Sequence, residues 1–221
     1  MSENADQPTV AKINPPVFFG SAGVILAFVI FTVAMPETAQ TIFGHVQTWI
    51  IDTVGWFYLL AMGLFVIFTL GLAFSRYGNI KLGPGHSEPD FSSSSWFAML
   101  FSAGMGIGLM FFGVAEPITH YAAPPNGDPA TVEAAREAMK ITFFHWGIHA
   151  WAVYGTTALA IAYFSFRRQT PMLVSGPLKN LFPGEAWAHA VGWLSDFMAI
   201  SAIAIGVAGS IAMGVFQVAD G

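Results

Sequence analysis

One apolar stretch of the sequence contains four glycines; it reads SAGMGIGLMFFGVAEP and runs from Ser102 to Pro117. They are Gly104, Gly106, Gly108 and Gly113. Each glycine disfavours a helix by about 1 kcal/mol relative to alanine, so we expect a weak or unwound helix here. Its exposed amides could then meet an anionic group, and its carbonyls could coordinate a cation. A second interpretation stays open, because Gly104 and Gly108 form a GxxxG pattern that lets two helices pack closely.

A second apolar stretch, FFHWGIHAWAVYGTTALAIAY, carries aromatic side chains at helical spacing between Phe143 and Tyr163. At the pitch of an α-helix, Trp146, Trp151 and Tyr154 lie within about 140° of one another, on one side of a single helix. Ring faces bind a quaternary ammonium well, because such a cation cannot donate hydrogen bonds. The spacing therefore predicts an aromatic cage for an onium group. An aromatic belt at a membrane interface is the alternative.

The remaining polar groups in apolar surroundings give weaker signals. His145 and His149 are spaced i,i+4, but no third ligand is placed beside them, so we interpret them as helix-to-helix hydrogen bonders and not as zinc ligands. Glu116 follows the glycine stretch and is interpreted as an interfacial cap. Asp52 and Asp196 are interpreted as interfacial carboxylates. No GxSxG, HExxH or P-loop pattern occurs, so the sequence gives no support to an enzyme.

The composition decides the class of protein that must position these residues. Only 10% of the 221 residues are charged, against about 25% in soluble domains, while 55% are hydrophobic and the mean hydropathy is +0.61. A net charge of -5 gives no basic surface for nucleic acid. The absence of cysteine excludes a disulfide scaffold and a thiol nucleophile. We therefore expect an all-α polytopic membrane protein embedded in a lipid bilayer.

Uncharged stretches of about 20 residues mark the expected spans. There are five of them: Pro16 to Met35, Thr53 to Phe74, Trp96 to Ala115, Ile141 to Phe166 and Phe197 to Ala219. Basic residues near span ends tend to stay cytoplasmic. With the N-terminus inside, six of the eight basic residues lie on the inner side. They are Lys12, Arg76, Lys81, Arg167, Arg168 and Lys179. The sequence therefore predicts a cytoplasmic N-terminus.

The two motif stretches resemble the most specific motifs of the betaine/carnitine/choline transporter family. The matching segments are AGMGIGLMFFGVAEP, from Ala103 to Pro117, and HWGIHAWAVY, from His145 to Tyr154. The resemblance implies a protein of about twelve spans in the bacterial cytoplasmic membrane, with a LeuT-like inverted-repeat transporter fold, often as a homotrimer. This chain would then be a fragment. It would hold an N-terminal segment at 1–15, two peripheral helices and a cytoplasmic loop at 16–95, and the first three helices of repeat one at 96–221.

The same resemblance implies roles for particular residues. Trp146, Trp151 and Tyr154 match the part of the family's aromatic box that comes from the fourth span. The amides around Gly104, Gly106 and Gly108 would face the substrate carboxylate. A coupling sodium ion would be held by the backbone carbonyls of Ser102 and Met105, and no other cofactor is expected.

Three positions bear on the substrate and the coupling ion. Choline-selective members carry an aspartate where this chain has Gly108, because a net cation benefits from a counter-carboxylate and a zwitterion is repelled by it. The family's sodium-binding threonine pair aligns with Ile203 and Val207, whose side chains offer no oxygen to a hard cation. We therefore expect a zwitterionic substrate, and coupling to one sodium ion or to a proton.

The sequence as a whole predicts a secondary active transporter that imports a small quaternary ammonium osmolyte, glycine betaine first among them. Transport of choline, carnitine or a sulfonium or methylamine solute by a member of the same family is the nearest alternative. A membrane receptor or assembly subunit is the rival class. In such a protein the glycines would pack helices and the aromatic rings would anchor interfaces.

Overall fold

The computed structural model describes residues 14–104 and 106–220. Within that part of the chain the regular structure is entirely helical, and no strand occurs. The α-helices are α1 (Pro15–Ala34), α2 (Pro36–Phe74), α3 (Ser93–Gly104), α4 (Ile107–Ala122), α5 (Val132–Trp146), α6 (Ile148–Ala162), α7 (Gly176–Leu181) and α8 (Ala186–Asp220). A 3-10 turn over Arg76–Asn79 follows α2, and a π-helical turn over Tyr163–Arg167 extends α6. The all-α class expected from the composition is confirmed.

Three of these helices are long and apolar enough to cross a membrane. They are α1, α2 and α8, whose most apolar stretches have mean hydropathies of 2.4, 2.3 and 2.1. Large apolar side chains along them are exposed, among them Phe19, Ile67 and Val218. Such surfaces are favourable against lipid or further protein and unfavourable against water. The first, second and fifth expected spans therefore each correspond to a long apolar helix.

The boundaries of two of these helices differ from the expected spans. α2 begins at Pro36, well before Thr53, and α8 begins at Ala186, before Phe197. A count of uncharged residues locates the apolar part of a helix, but a helix continues through polar residues as long as they are good helix formers. Asp52 consequently lies inside α2, exposed, and not at the end of a helix.

The third and fourth expected spans are each interrupted. α3 ends at Gly104 and α4 begins at Ile107, as the glycine content predicts. α5 ends at Trp146 and α6 begins at Ile148, which the sequence analysis did not anticipate. α3, α4, α5 and α6 have 12, 16, 15 and 15 residues, and only α6, with its π-helical extension to Arg167, reaches the length of about 20 residues that a bilayer requires. Each of these two expected spans is therefore divided between two shorter helices, which we call half-helices.

Packing joins six of the helices into a closed ring. In order around the ring they are α1, α2, α6, α5, α4 and α8. The most extensive interface lies between α4 and α5, and it brings together one half of each interrupted span. Among the described residues, α3 packs against no other helix. The two half-helices α4 and α5 thus form the best-fixed part of the interrupted spans.

A buried polar cluster fastens the short helix α7 to α8. Asp196 of α8 is only 6% exposed and accepts hydrogen bonds from the Ser175 amide at 2.9 Å and the Ser175 hydroxyl at 2.7 Å. Lys179 Nζ lies 3.5 Å from the same carboxylate. Gly192 permits this approach, since a Cβ there would lie 2.8 Å from Lys179 Cε. Asp196 is therefore a buried anchor between two helices, a role that the sequence analysis did not anticipate.

Replacing this anchor tests its contribution to stability. In Asp196→Ala the buried Ser175 amide would have no partner, the Ser175 hydroxyl would lose its acceptor, and Lys179 would lose its counter-charge, so we expect a loss of about 2–4 kcal/mol in the free energy of unfolding. Asp52→Ala removes an exposed carboxylate from α2 and should change stability by no more than about 0.5 kcal/mol. Thermal unfolding of the purified protein in detergent measures both. Equal midpoints for the two variants would contradict the anchoring role.

Candidate functional site

The two interrupted spans break in nearly the same way. Gly106 precedes α4 with φ −69° and ψ −150°, and Gly147 precedes α6 with φ −86° and ψ −152°. Both conformations are extended, and no side chain caps the first turn of either helix. The first-turn amides of a helix carry a partial positive charge and lack intrahelical partners. Each break therefore presents a positive helix end inside an apolar region.

Close backbone approach explains why glycine occupies both breaks. A Cβ at Gly147 would collide with the backbone carbonyl oxygen of Phe143. A Cβ at Gly106 would lie 3.1 Å from the carbonyl oxygen of Ser102, which is tighter than an ordinary van der Waals contact. In both cases the last carbonyls of the preceding helix lie against the glycine. At Gly147 any other residue would push the chain out of its turn, whereas at Gly106 a side chain would require the Ser102 carbonyl to shift by a few tenths of an ångström.

Trp146, which lies next to one break, contacts the helix that begins at the other. It is the last residue of α5, and its ring atom Cη2 lies 3.9 Å from the position of a Cβ on Gly108, in the first turn of α4. The indole also stacks on Phe112, with ring centroids 6.2 Å apart and planes inclined by 29°. The aromatic ring at the end of one half-helix therefore covers the beginning of another. Gly104 and Gly108 belong to different helices, so they do not form a GxxxG ridge on a single helix.

Glu116 holds the other end of the same indole. Its side chain is 9% exposed, and its Oε2 accepts a hydrogen bond from Trp146 Nε1 at 2.7 Å. His145 Nδ1 lies 2.9 and 3.0 Å from the two carboxylate oxygens, and His120 Nε2 lies 3.7 Å from Oε1. Glu116 sits well inside α4, so its interpretation as an interfacial cap is wrong. The available signal was a lone acidic residue in an apolar helix, which usually has a specific partner.

Trp151 and Tyr154 form a separate pair on α6. Their ring centroids are 6.0 Å apart, and the two residues are 42% and 72% exposed. Trp146 belongs to α5, and within the described part of the chain its ring pairs are with Phe112 and His145. The expectation that all three rings share one side of a single helix is therefore wrong, because helical periodicity does not run through the break at Gly147.

The residues expected at an ion site are placed unevenly. Ser102 lies on α3, and its carbonyl oxygen points towards the break at Gly106. Met105 lies outside the described residues. Ile203 and Val207 lie on α8 with exposed apolar side chains, so they offer no oxygen ligand from that helix. The sodium site therefore remains a prediction.

The break at Gly106 combines two kinds of recognition within one helical turn. Uncapped amides at a helix N-terminus bind anions such as carboxylates. An indole binds an onium group through its ring face. Since Trp146 touches α4 at Gly108, the two features lie side by side. The arrangement suits a small solute that carries a carboxylate and a methylated cation, and it contains nothing that requires covalent chemistry.

Comparison with known proteins identifies relatives of the whole described region. A family model described as "BCCT, betaine/carnitine/choline family transporter" matches residues 16–221. The chain is 43% identical over 211 residues to a glycine betaine transporter of Acinetobacter baylyi, with 96% of this chain and 32% of the relative covered. It is 46% identical over 206 residues to the glycine betaine transporter OpuD of Bacillus subtilis, with 93% of this chain and 40% of the relative covered.

A third relative is named for a different solute. The high-affinity choline transport protein of Escherichia coli is 43% identical over 206 residues, covering 93% of this chain and 30% of the relative. The chain thus spans about a third of the length of the curated relatives it matches. Because relatives named for glycine betaine and for choline are equally similar to the chain, overall identity does not separate the two solutes.

The glycine requirement at the second break can be tested directly. Gly147→Ala places a methyl group against the Phe143 carbonyl, and we expect it to destabilise the protein by about 1–3 kcal/mol. Gly113→Ala is the matched control, because a Cβ there has no neighbour within 4 Å and alanine favours a helix by about 1 kcal/mol. The measurement is the thermal unfolding midpoint in detergent. An unchanged midpoint in Gly147→Ala would show that the break tolerates a side chain.

Proposed function

The chain belongs to the betaine/carnitine/choline family of transporters, and from this premise we propose that the protein is a secondary active transporter for a zwitterionic quaternary ammonium osmolyte. Glycine betaine is the favoured substrate. The protein imports it across the bacterial cytoplasmic membrane by alternating access coupled to an ion. The relatives are named as transporters, and the chain is a multi-pass membrane protein rather than an enzyme.

One observation carries the proposal, namely the contact of the Trp146 indole with the uncapped first turn of α4 at Gly108. The carboxylate of the substrate would accept hydrogen bonds from the amides that follow Gly106, where the helix end is positive. Its trimethylammonium group would lie against the aromatic rings. Trp151 and Tyr154 on the next half-helix supply further ring surface, with Tyr154 largely exposed.

The charge at the first turn of α4 favours a zwitterion over choline. Gly108 contributes no carboxylate there, so a substrate with a net positive charge would have no counter-ion in this turn. A zwitterion brings its own carboxylate and matches the positive helix end. We therefore place choline, carnitine and sulfonium or methylamine solutes behind glycine betaine.

The ion and the wider architecture follow from the family resemblance. One sodium ion would bind the carbonyls of Ser102 and Met105. The apolar Ile203 and Val207 offer no oxygen ligand for a further sodium ion, so coupling would use that one sodium ion or a proton. The fold would be LeuT-like, assembled as a homotrimer with a cytoplasmic N-terminus. Residues 16–95 would form the peripheral helices and 96–221 the start of the first inverted repeat.

The aromatic contribution can be tested by uptake of labelled glycine betaine into liposomes that contain the protein at the full length its gene encodes. Each desolvated ring contributes about 1–2 kcal/mol to onium binding. Replacing Trp146 and Trp151 together by alanine should therefore raise KM by at least about tenfold. Trp56→Ala removes an exposed indole from α2 and should leave KM unchanged. Absence of saturable uptake by the wild type would favour a receptor or assembly subunit instead.

The solute preference depends on position 108. A side chain there has room, because among the described residues its Cβ would meet Trp146 Cη2 alone, at an ordinary 3.9 Å. Gly108→Asp places a carboxylate beside the onium site, and we expect the ratio of choline to glycine betaine affinity to rise by at least about tenfold, or about 1.4 kcal/mol. Gly108→Asn has the same shape without the charge and should shift the ratio little. Equal shifts in both variants, measured by competition for uptake, would contradict an electrostatic cause.

A further inference from the structure

Glu116 is the one Lys, Arg, Asp or Glu residue in α4 (Ile107–Ala122). The rest of this helix is mostly apolar, so a carboxylate there is energetically costly. A carboxylate inside an apolar layer is strongly unfavourable unless it is paired, and such groups usually serve a function. Glu116 is buried, and its partners come from the end of α5 and from its own helix. The question is what this carboxylate does for the site.

The indole of Trp146 is attached to α4 at both of its ends. The benzene edge lies against Gly108, the ring stacks on Phe112, and the Nε1–H donates to Glu116. These three residues are spaced four apart, so they line one face of α4. Contact at Gly108 alone would leave the ring free to rotate about its side-chain bonds. The hydrogen bond at the other end removes that freedom.

The carboxylate is itself held in place. His145 Nδ1 lies between its two oxygens, at 2.9 and 3.0 Å, and His145 immediately precedes Trp146 in α5. His120, one turn further along α4, lies 3.7 Å from Oε1. His145 and Trp146, two consecutive residues of α5, therefore both contact the buried carboxylate of α4. This arrangement fixes the end of α5 to α4 as well as the indole ring.

We propose that Glu116 is a positioning residue that orients the Trp146 indole over the first turn of α4 and thereby sets the affinity for substrate. The inference rests on the proposed transport function, which it deepens. Glu116 lies eight residues after Gly108, a rise of about 12 Å along the helix, so it does not reach a solute bound at the break. It acts through the ring, and its effect should disappear when the ring has no N–H to hold.

The test is a double-mutant cycle on KM for glycine betaine uptake, again with the protein at its encoded full length in liposomes. Glu116→Leu removes the acceptor and should raise KM at least about tenfold with little change in kcat. Glu116→Gln keeps one acceptor oxygen without the charge and should raise KM about threefold. Trp146→Phe keeps a ring but has no N–H, and in that background neither change at Glu116 should raise KM further. Glu137→Gln changes a partly exposed carboxylate of α5 that is paired with Lys140; it is the control and should match the wild type.

Different results identify different failures. Wild-type KM in both Glu116 variants would overturn the positioning role while leaving the transport function intact. An equal rise of KM in the native and Trp146→Phe backgrounds would also overturn it, because Glu116 would then act independently of the indole. If Glu116→Leu does not reach the membrane, Glu116→Gln and Trp146→Phe still complete the cycle. Lack of saturable uptake by the wild type would refute the proposed function itself, and the inference with it.

Discussion

The arrangement of this region follows from one constraint, which is that a peptide group inside an apolar layer must find a partner. An unsatisfied amide or carbonyl in hydrocarbon costs several kcal/mol, so membrane helices are normally continuous. Here two consecutive spans leave the helical conformation, at Gly106 and at Gly147. Interruptions of this kind are stable only where protein or a polar solute surrounds them. Trp146, the last residue before one interruption, reaches Gly108 just after the other, so its ring lies over the first turn of α4.

The buried carboxylate of Glu116 explains how half-helices can be held in a fixed relation. A continuous helix transmits its direction through its own hydrogen bonds, and an interrupted one does not. In this structure α4 and α5 are instead joined by side chains, through the hydrogen bond between Glu116 and Trp146 and the contact with His145. The same polar cluster that fastens the helices also carries the ring of the candidate site. Glu116 and Trp146 therefore contribute both to the packing of α4 on α5 and to the candidate site.

The sequence predicted the parts of this picture that depend on local chemistry. The break near Gly106 was predictable because the cost of several glycines in one helix is additive and needs no knowledge of neighbours. The break at Gly147 was not, because a lone glycine is tolerated in a helix and the decisive factor is the close approach of the Phe143 carbonyl. Because this break was not predicted, the sequence analysis placed Trp146 on the same helix as Trp151 and Tyr154. The two partners of Glu116 on α5 lie 29 and 30 residues away, so they follow only from the packing of α4 on α5.

The length of α2 has a mechanical consequence. Its 39 residues rise by about 58 Å, nearly twice the thickness of about 30 Å that a hydrocarbon core offers. Transmembrane helices seldom lean by more than about 40°, and a lean of that size still leaves part of so long a rod outside the layer. A helix of this length that crosses the bilayer extends beyond the hydrocarbon layer. α2 also packs on α6, the half-helix that carries Trp151 and Tyr154. A change in the tilt of α2 would therefore also act on the helix that holds those two rings.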